Sequence, residues 1–386
     1  MSDQRSATEG GLLHHGLVNS NRLQLLPWWA VVLSFGFNAL IVALIWLPRG
    51  TSAALPVILD VAVANFFNWY LLWMLPRRRK SFGPDKPSAL ALGAVHTLIA
   101  AALGILNAPP VLVLVLLALV TVVTVYATWS EPFRLGVTEQ GYFWDECAEE
   151  HCLRLLHIGD IHVERITERE KRLNALIAEL QPDVIVFSGD FVNLSYTNDK
   201  QAETDIRNVI RAWRAPLGVY CVPGTPQVEP LARVKKFVSR LKNLTLLHNT
   251  WATVPTPAGD VHILGLVTTH DLPTDRAALA KAMQNAPPDG VKLLLTHSPD
   301  IAPEAAAAGV DIYLCGHTHG GQIRLPLIGA LLTASQLGKR FEMGRYTVDK
   351  MTLYVTRGVG MEGLGAPRAR FLCAPEIVLW HFGAGR

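Results

Sequence analysis

Four apolar stretches fill the first third of the chain, roughly Leu25–Leu47, Ala53–Leu75, Ala89–Leu106 and Val111–Tyr126. Each is close to the ~20 residues a helix needs to cross ~30 Å of hydrocarbon, and together they predict four spanning helices. Only Asn107, Ala108, Pro109 and Pro110 separate the third from the fourth, a turn suited to a tight hairpin. The first stretch is too long and begins too late for a cleaved signal peptide. After Glu131 the pattern changes to short apolar runs alternating with helical periods. Leu153–Ile158, Val184–Ser188, Val219–Val222, His262–Leu266, Lys292–Thr296 and Ile312–Cys315 read as core strands, and Leu173, Leu176, Ile177 and Leu180 share one helical face. This is the grammar of an α/β domain. The expected organisation is a tail over 1–24, a membrane domain over 25–128, a linker over 129–151 and a globular domain over 152–386.

Composition agrees with that division. The 386 residues are 50% hydrophobic, with a mean hydropathy of +0.25, too apolar for an ordinary soluble protein. Arg77, Arg78, Arg79, Lys80 and Lys86 lie between the second and third stretches. By the positive-inside rule that loop stays in the cytoplasm, and four crossings then place both termini, and the globular domain, on the cytoplasmic side of a bacterial inner membrane. Trp28, Trp29, Trp69, Tyr70 and Trp129 stand near segment ends, where amphipathic rings favour the interface. Asp60, Asn65, Asn68 and His96 fall in or near the spans and read as helix-end groups or interhelical hydrogen bonds. A net charge of +3, with no basic stripe interleaved with aromatics, argues against a nucleic-acid partner. Cys147, Cys152, Cys221, Cys315 and Cys373 are odd in number and lack C-x-x-C spacing, which favours a reducing compartment over a disulfide scaffold.

The candidate chemistry gathers where the strand runs stop. Gly159-Asp160-Ile161-His162 follows the first run and Ser188-Gly189-Asp190 the second; Thr296-His297-Ser298 and Gly316-His317-Thr318-His319-Gly320-Gly321 come later. Open α/β sheets place their sites at such carboxyl ends. In D-x-H and H-x-H, alternate residues of an extended segment point the same way, so paired ligands can converge on one ion or on two neighbouring ions. A carboxylate that bridges two ions about 3.5–4 Å apart creates a clamp for phosphoryl transfer. His157, His248, His262 and His270, taken singly, read as turn or strand-end residues.

These residues resemble the calcineurin-like metallophosphoesterases, in particular their membrane-attached bacterial phosphodiesterase branch. The resemblance covers about Glu131 to Ile377. It rests on Gly316 through Pro326, on Thr296-His297-Ser298-Pro299-Asp300, on Gly189-Asp190, and on Arg357-Gly358-Val359-Gly360 followed by Cys373-Ala374-Pro375-Glu376-Ile377. It implies a four-layer αββα sandwich following the four transmembrane helices. One metal would be held by Asp160, His162, Asp190 and His319, and a second by Asp190, His297 and His317, with Mn²⁺, Fe or Zn²⁺ as the two ions. Asp190 and His317 are the residues expected to be catalytic.

One motif departs from the family pattern. Relatives carry Gly-Asn-His-Asp after the third strand, where this chain has Gly224-Thr225-Pro226-Gln227. Thr225 or Gln227 could still offer an oxygen to a divalent ion. The expected function is hydrolysis of a phosphodiester or pyrophosphate, with a lipid-linked substrate at the inner leaflet as the natural candidate. Arg324, Arg357, Arg368 and Arg370 are available for its phosphate oxygens. The altered loop leaves a second reading open, a weak or inactive metal-binding module acting as a membrane sensor or scaffold. A third reading, resting on four helices where one would anchor, has the spans handle a lipid.

Overall fold

The computed structural model describes residues 16, 19–144, 147, 152–365 and 367–383, so the tail expected over 1–24 lies largely outside the described residues. Two compact units result. A helical unit extends to Glu131 and also takes in Glu362–Phe371; the second comprises Pro132–Met361 and resumes at Leu372.

The helical unit contains α1 (Trp28–Trp46), α2 (Thr51–Arg77), α3 (Asp85–Ile105) and α4 (Pro110–Val125). Each belongs to a helical segment long and apolar enough to cross a membrane. Pro27 and Pro109 stand at the N-caps of α1 and α4, where a missing N–H costs nothing. Phe37 and Leu44 are more than 60% exposed on α1, while Val42 and Trp46 pack inward with Val57, Val61, Ala100 and Leu117. Apolar side chains facing outward on all sides are what a bundle in lipid presents. Its middle is polar: Asn65, Asn68 and His96 are buried, and His96 Nε2 lies 3.4 Å from Thr121 Oγ1, an interhelical contact of the expected kind. The sequence reading assigned Glu362–Phe371 to the globular domain. In the structure this segment packs on the helices, with Arg370 N–H donating to Ala127 O (2.8 Å) and Phe371 edge-on to Tyr126.

The second unit holds fourteen described strands: β1 (Gly136–Phe143), β2 (Leu153–Ile158), β3 (Val184–Phe187), β4 (Val219–Cys221), β5 (Thr245–Leu246), β6 (Thr250–Thr256), β7 (Gly259–Gly265), β8 (Val291–Leu295), β9 (Ile312–Cys315), β10 (Arg324–Leu325), β11 (Gly329–Ala330), β12 (Gly344–Val348), β13 (Met351–Val355) and β14 (Glu376–Gly383). Two six-stranded sheets form, ordered β1-β14-β2-β3-β4-β5 and β12-β13-β9-β8-β7-β6. Leu155, Val184, Val186 and Trp380 of the first sheet meet Ile263, Leu293, Leu295 and Leu314 of the second in one core. On the first sheet's other face, Leu156, Ile158 and Phe187 pack with α5 (Glu168–Leu180), α6 (Lys200–Ile210) and α7 (Leu231–Val238). Leu264, Leu294 and Leu353 likewise pack with α8 (Leu272–Met283) and α9 (Ala302–Ala307). The result is the four-layer αββα sandwich. Burial on both faces explains why the central strands read as unbroken apolar runs.

Two expectations are corrected. The stretch 129–151 is no mere linker, because β1 lies within it and pairs in parallel with β14 from Gly136↔Glu376 to Phe143↔Gly383. Its alternating, half-exposed pattern is that of an edge strand. Cys147 and Cys152, expected to be reduced, form a disulfide with Cα atoms 6.1 Å apart. The end of β14 draws them together: Trp144 N–H bonds Gly383 O, Cys147 N–H bonds Trp144 O, and Cys152 N–H bonds Phe382 O. Cys221, Cys315 and Cys373 are free and buried.

Trp213 anchors the first sheet's helical layer. It is fully buried, stacks edge-on to Phe187 at 5.6 Å, and donates from Nε1 to Asn174 Oδ1 at 3.0 Å. Trp213→Ala is expected to lower the unfolding free energy by about 3–5 kcal/mol, measured by urea denaturation of the full chain in detergent.

Candidate metal centre

Asp160 and His162 follow β2, Asp190 follows β3, His297 follows β8, and His317 and His319 follow β9. The loops are tied across the sheets rather than left to pair locally. Asp160 N–H bonds Gly189 O (3.0 Å), His162 N–H bonds Asp190 O (3.1 Å), and His317 N–H donates to both oxygens of Asp160 (3.0 and 3.2 Å). Asp160, His162, Asp190, His317 and His319 all have φ between 39° and 71°. Non-glycine residues adopt this left-handed region rarely, and such strain persists only where the surroundings impose it. Two glycines make the close approach possible. A Cβ on Gly316 would lie 2.1 Å from Asp160 Oδ2, and one on Gly224 would lie 2.0 Å from Asp190 Oδ1.

The side chains converge. Asp160, His162, Asp190 and His319 are all buried, and one ligand atom from each falls within 4.8 Å of the others. His162 Nε2 is 2.9 Å from His319 Nε2 and 3.3 Å from Asp190 Oδ2. Asp190 Oδ2 also faces His297 Nε2 at 3.2 Å, and that nitrogen lies 3.2 Å from His317 Nδ1. Asp190 therefore joins two donor groups, one on each side. Thr225 completes the second: its hydroxyl is 3.3 Å from Asp190 Oδ2 and 3.2 Å from His297 Nε2, and its N–H donates to Asp190 Oδ1 at 2.8 Å.

The buried carboxylates and imidazoles act strongly on one another. Burial raises the Asp160 carboxyl to about 6, opposed by His297 and reinforced by Asp190. Burial also resists ionisation of Asp190, but His297 and His162 outweigh it and hold that carboxyl well below its usual range. For His297 burial disfavours the charged ring, yet Asp190 and Asp160 prevail and push it up to about 10. With His297 Nδ1 2.9 Å from Ser188 O, an Nδ1–H tautomer would donate there and turn the Nε2 lone pair toward Asp190, the arrangement a metal-ligating imidazole adopts. Imidazole and carboxylate atoms this close and this buried suit a cation among them, so the residues present fit a pair of divalent ions.

Several residues fall differently from the sequence reading. Arg324 pairs with Glu342 (2.9 Å) and Arg357 with Glu376 (2.5 Å); Arg368 and Arg370 belong to the helical unit. None of these four is thereby assigned to the site. Of the two candidates in the altered loop, Thr225 is the one whose hydroxyl meets the cluster. His157 is a core residue 3.1 Å from Ser188 Oγ, and His262 lies 3.0 Å from Thr253 Oγ1. His270 does not stay a simple turn residue: its ring lies 4.7 Å from that of His317. Burial, then His317 and His297, lower His270 to about 2. Glu229 was not foreseen. Buried beneath the site, it accepts N–H bonds from Phe191 (2.5 Å), Val192 (3.0 Å) and Gly224 (3.1 Å), tying the β3 and β4 loops together. No periodicity or motif marks it, because its partners are backbone groups of distant loops.

A buried two-centre Asp/His cluster at the strand ends of an αββα sandwich defines a metal-dependent phosphoesterase. Residues 153–321 match the family model of the calcineurin-like phosphoesterases, and the chain carries a domain of that family. The chain is 29% identical over 230 residues to the uncharacterized metallophosphoesterase YkuE of Bacillus subtilis, covering 59% of this chain and 78% of that one. It is 26% identical over 259 residues to phosphodiesterase YaeI of Escherichia coli, covering 66% and 90%. It is also 26% identical over 310 residues to the UDP-2,3-diacylglucosamine pyrophosphatase LpxG of Chlamydia muridarum, covering 66% and 91%.

Glu229→Ala would leave three N–H groups without their acceptor, each costing about 1–3 kcal/mol if it stays buried. The expected outcome is a drop of at least 2 kcal/mol in unfolding free energy, and less for Glu229→Gln, which keeps one oxygen; urea denaturation of both variants checks the order.

Proposed function

We propose that this chain hydrolyses a phosphodiester or pyrophosphate and that its substrate is lipid-linked. The observation that carries the reading is Asp190, shared between a donor group of Asp160, His162 and His319 and another of His297, His317 and Thr225. Two divalent ions, with Mn, Fe or Zn suited to mixed imidazole and carboxylate donors, would supply the charge that draws in phosphate oxygens and makes water nucleophilic near neutral pH. The protein's part is to hold those donors rigidly. Asp160 is fixed by the His317 N–H and Asp190 by the Thr225 N–H, so neither carboxylate has to reorganise when a phosphate arrives.

Thr225 takes the place of an asparagine ligand, its hydroxyl oxygen offering a neutral donor. The lipid-linked substrate is supported by four helices of membrane-crossing length in the same chain and by the similarity to an enzyme named for a diacylated sugar nucleotide. Five cations at the α2–α3 junction, Arg77 to Lys80 and Lys86, against Arg49 alone in the α1–α2 and α3–α4 turns, support a cytoplasmic catalytic domain on an inner membrane. The Cys147–Cys152 disulfide argues the other way, since disulfides are uncommon in the cytosol. The charge bias is the stronger signal because it acts as the helices insert.

The purified full chain is expected to hold two divalent ions and to cleave a generic aryl phosphodiester in a chelator-sensitive way. Asp190→Ala should reduce turnover on the order of a thousandfold, the several kcal/mol such a clamp supplies, and Thr225→Ala should release one ion while keeping the other. Metal analysis that finds one ion or none, with no turnover on aryl or lipid-linked diphosphates, would leave a metal-binding sensor or scaffold instead. For orientation, a C-terminal alkaline phosphatase fusion should be silent and a fluorescent protein fusion bright; the reverse pattern would put the domain outside the cytoplasm.

A further inference from the structure

We propose that His270 is a further catalytic residue, one that donates a hydrogen bond to an oxygen of the substrate's phosphate. The inference rests on the phosphoesterase reading above but concerns a residue outside both donor groups. The rings of His297, His317 and His270 follow one another, at 4.8 Å and then 4.7 Å between centroids. His297 and His317 turn nitrogens toward each other beside Asp190 and Thr225; His270 packs on the remaining side of His317. The residue as a whole is partly buried, and both of its ring nitrogens are shielded from bulk solvent within this cluster.

The backbone holds His270 in place with as much care as the ligands. Its φ is 60°, inside the range spanned by Asp160, His162, Asp190, His317 and His319. An imidazole residue tolerates the left-handed region at a cost, which the chain bears at five of the donor residues and also at turn residues such as Gln181 and Asn249. The surrounding loop is pinned at several points. Gln336 Nε2 donates to His270 O (2.8 Å), Asp275 accepts from Thr269 N–H (2.9 Å), and Asp271 caps α8 by accepting from Thr274 N–H (3.2 Å). A side chain that only filled a turn would not need this framing, whereas a group that must meet a reacting phosphate does.

The rest of the site leaves this task open. The loop Gly224-Thr225-Pro226-Gln227 contains no imidazole, and Pro226 has neither a backbone N–H nor a polar side chain. Arg324 and Arg357 are engaged by Glu342 and Glu376. A neutral imidazole N–H is a good donor to a phosphate oxygen and adds no charge beside His317.

The test uses the Mn²⁺-loaded full chain in detergent, with inorganic phosphate and an aryl phosphodiester as probes. His270→Ala and His270→Gln should keep the wild-type metal content and melting temperature, bind inorganic phosphate about tenfold more weakly by calorimetry, and lose about a hundredfold in kcat/KM, the cost of removing one donor from a transition state. Adding Pro226→His to His270→Ala should recover part of both losses, since it returns an imidazole from the opposite loop. Unchanged phosphate affinity in the His270 variants would overturn the assignment whether or not the wild type turns over. Loss of a metal ion would do so too, by making His270 a ligand. An inactive wild type that still shows the phosphate effect would retain His270 as a phosphate contact and count against the hydrolytic reading alone.

Discussion

The structure depends on a buried carboxylate that two sets of donors share. Asp190 sits beneath the surface with His162 on one side and His297 on the other, and a buried charge of this kind is costly unless it is paired and hydrogen-bonded. Its pairing is met by His162 after β2 and His297 after β8, and its hydrogen bond comes from the β4 loop. Four strand ends drawn from two different sheets must therefore meet at one point. The interleaved order of β2, β3 and β4 in one sheet and β9, β8 and β7 in the other, packed face to face, brings them there.

Precision at that point is achieved by backbone rather than by side-chain packing. Asp160, His162, Asp190, His317 and His319 sit in left-handed conformations, glycines 316 and 224 leave room for carboxylate oxygens, and Glu229 gathers three N–H groups from two loops. Burial, then the charge of Asp190, push the Glu229 carboxyl up to about 8, with the Val192 and Gly224 N–H groups pulling it back. A carboxyl in that setting holds the loops together without competing with the ligands for a cation, because its oxygens are already turned toward the backbone.

How much of this was legible in the sequence follows from what each signal encodes. The four membrane-length helices and the six central strands were readable because burial on every side, or on both faces, writes an unbroken apolar run. The six Asp and His positions were readable because they cluster at strand ends, four of them directly beside glycine. β1 was missed because an edge strand such as Gly136–Phe143 is half-exposed and carries Thr138, Glu139 and Gln140. β13 and β14 were missed because their pairing is settled by β9 and β2, strands distant in sequence that local periodicity does not report, and β12 joins the sheet only as the hairpin partner of β13. The return of Glu362–Phe371 to the helices and the pairing of Cys147 with Cys152 are tertiary facts of the same kind. Of the four arginines offered for phosphate, Arg324 and Arg357 found carboxylates, as arginine does wherever a buried fork can be matched.

The loop from Gly224 to Gln227 shows why a motif read as damaged need not leave the site depleted. A threonine one bond shorter than asparagine still reaches Asp190 and His297, because the Thr225 N–H is itself clamped to Asp190 and carries the side chain inward. Proline at 226 then fixes the chain direction immediately after that clamp, at the cost of an imidazole from this side. Glu229, two residues past Gln227, secures the loop from below through Gly224. On the proposed reading, a longer ligand is exchanged for a shorter side chain held by more backbone. That exchange is self-consistent only if the phosphate's remaining hydrogen bonds come from elsewhere in the fold, and the β7–α8 loop, with His270 against His317, is the segment that reaches that side.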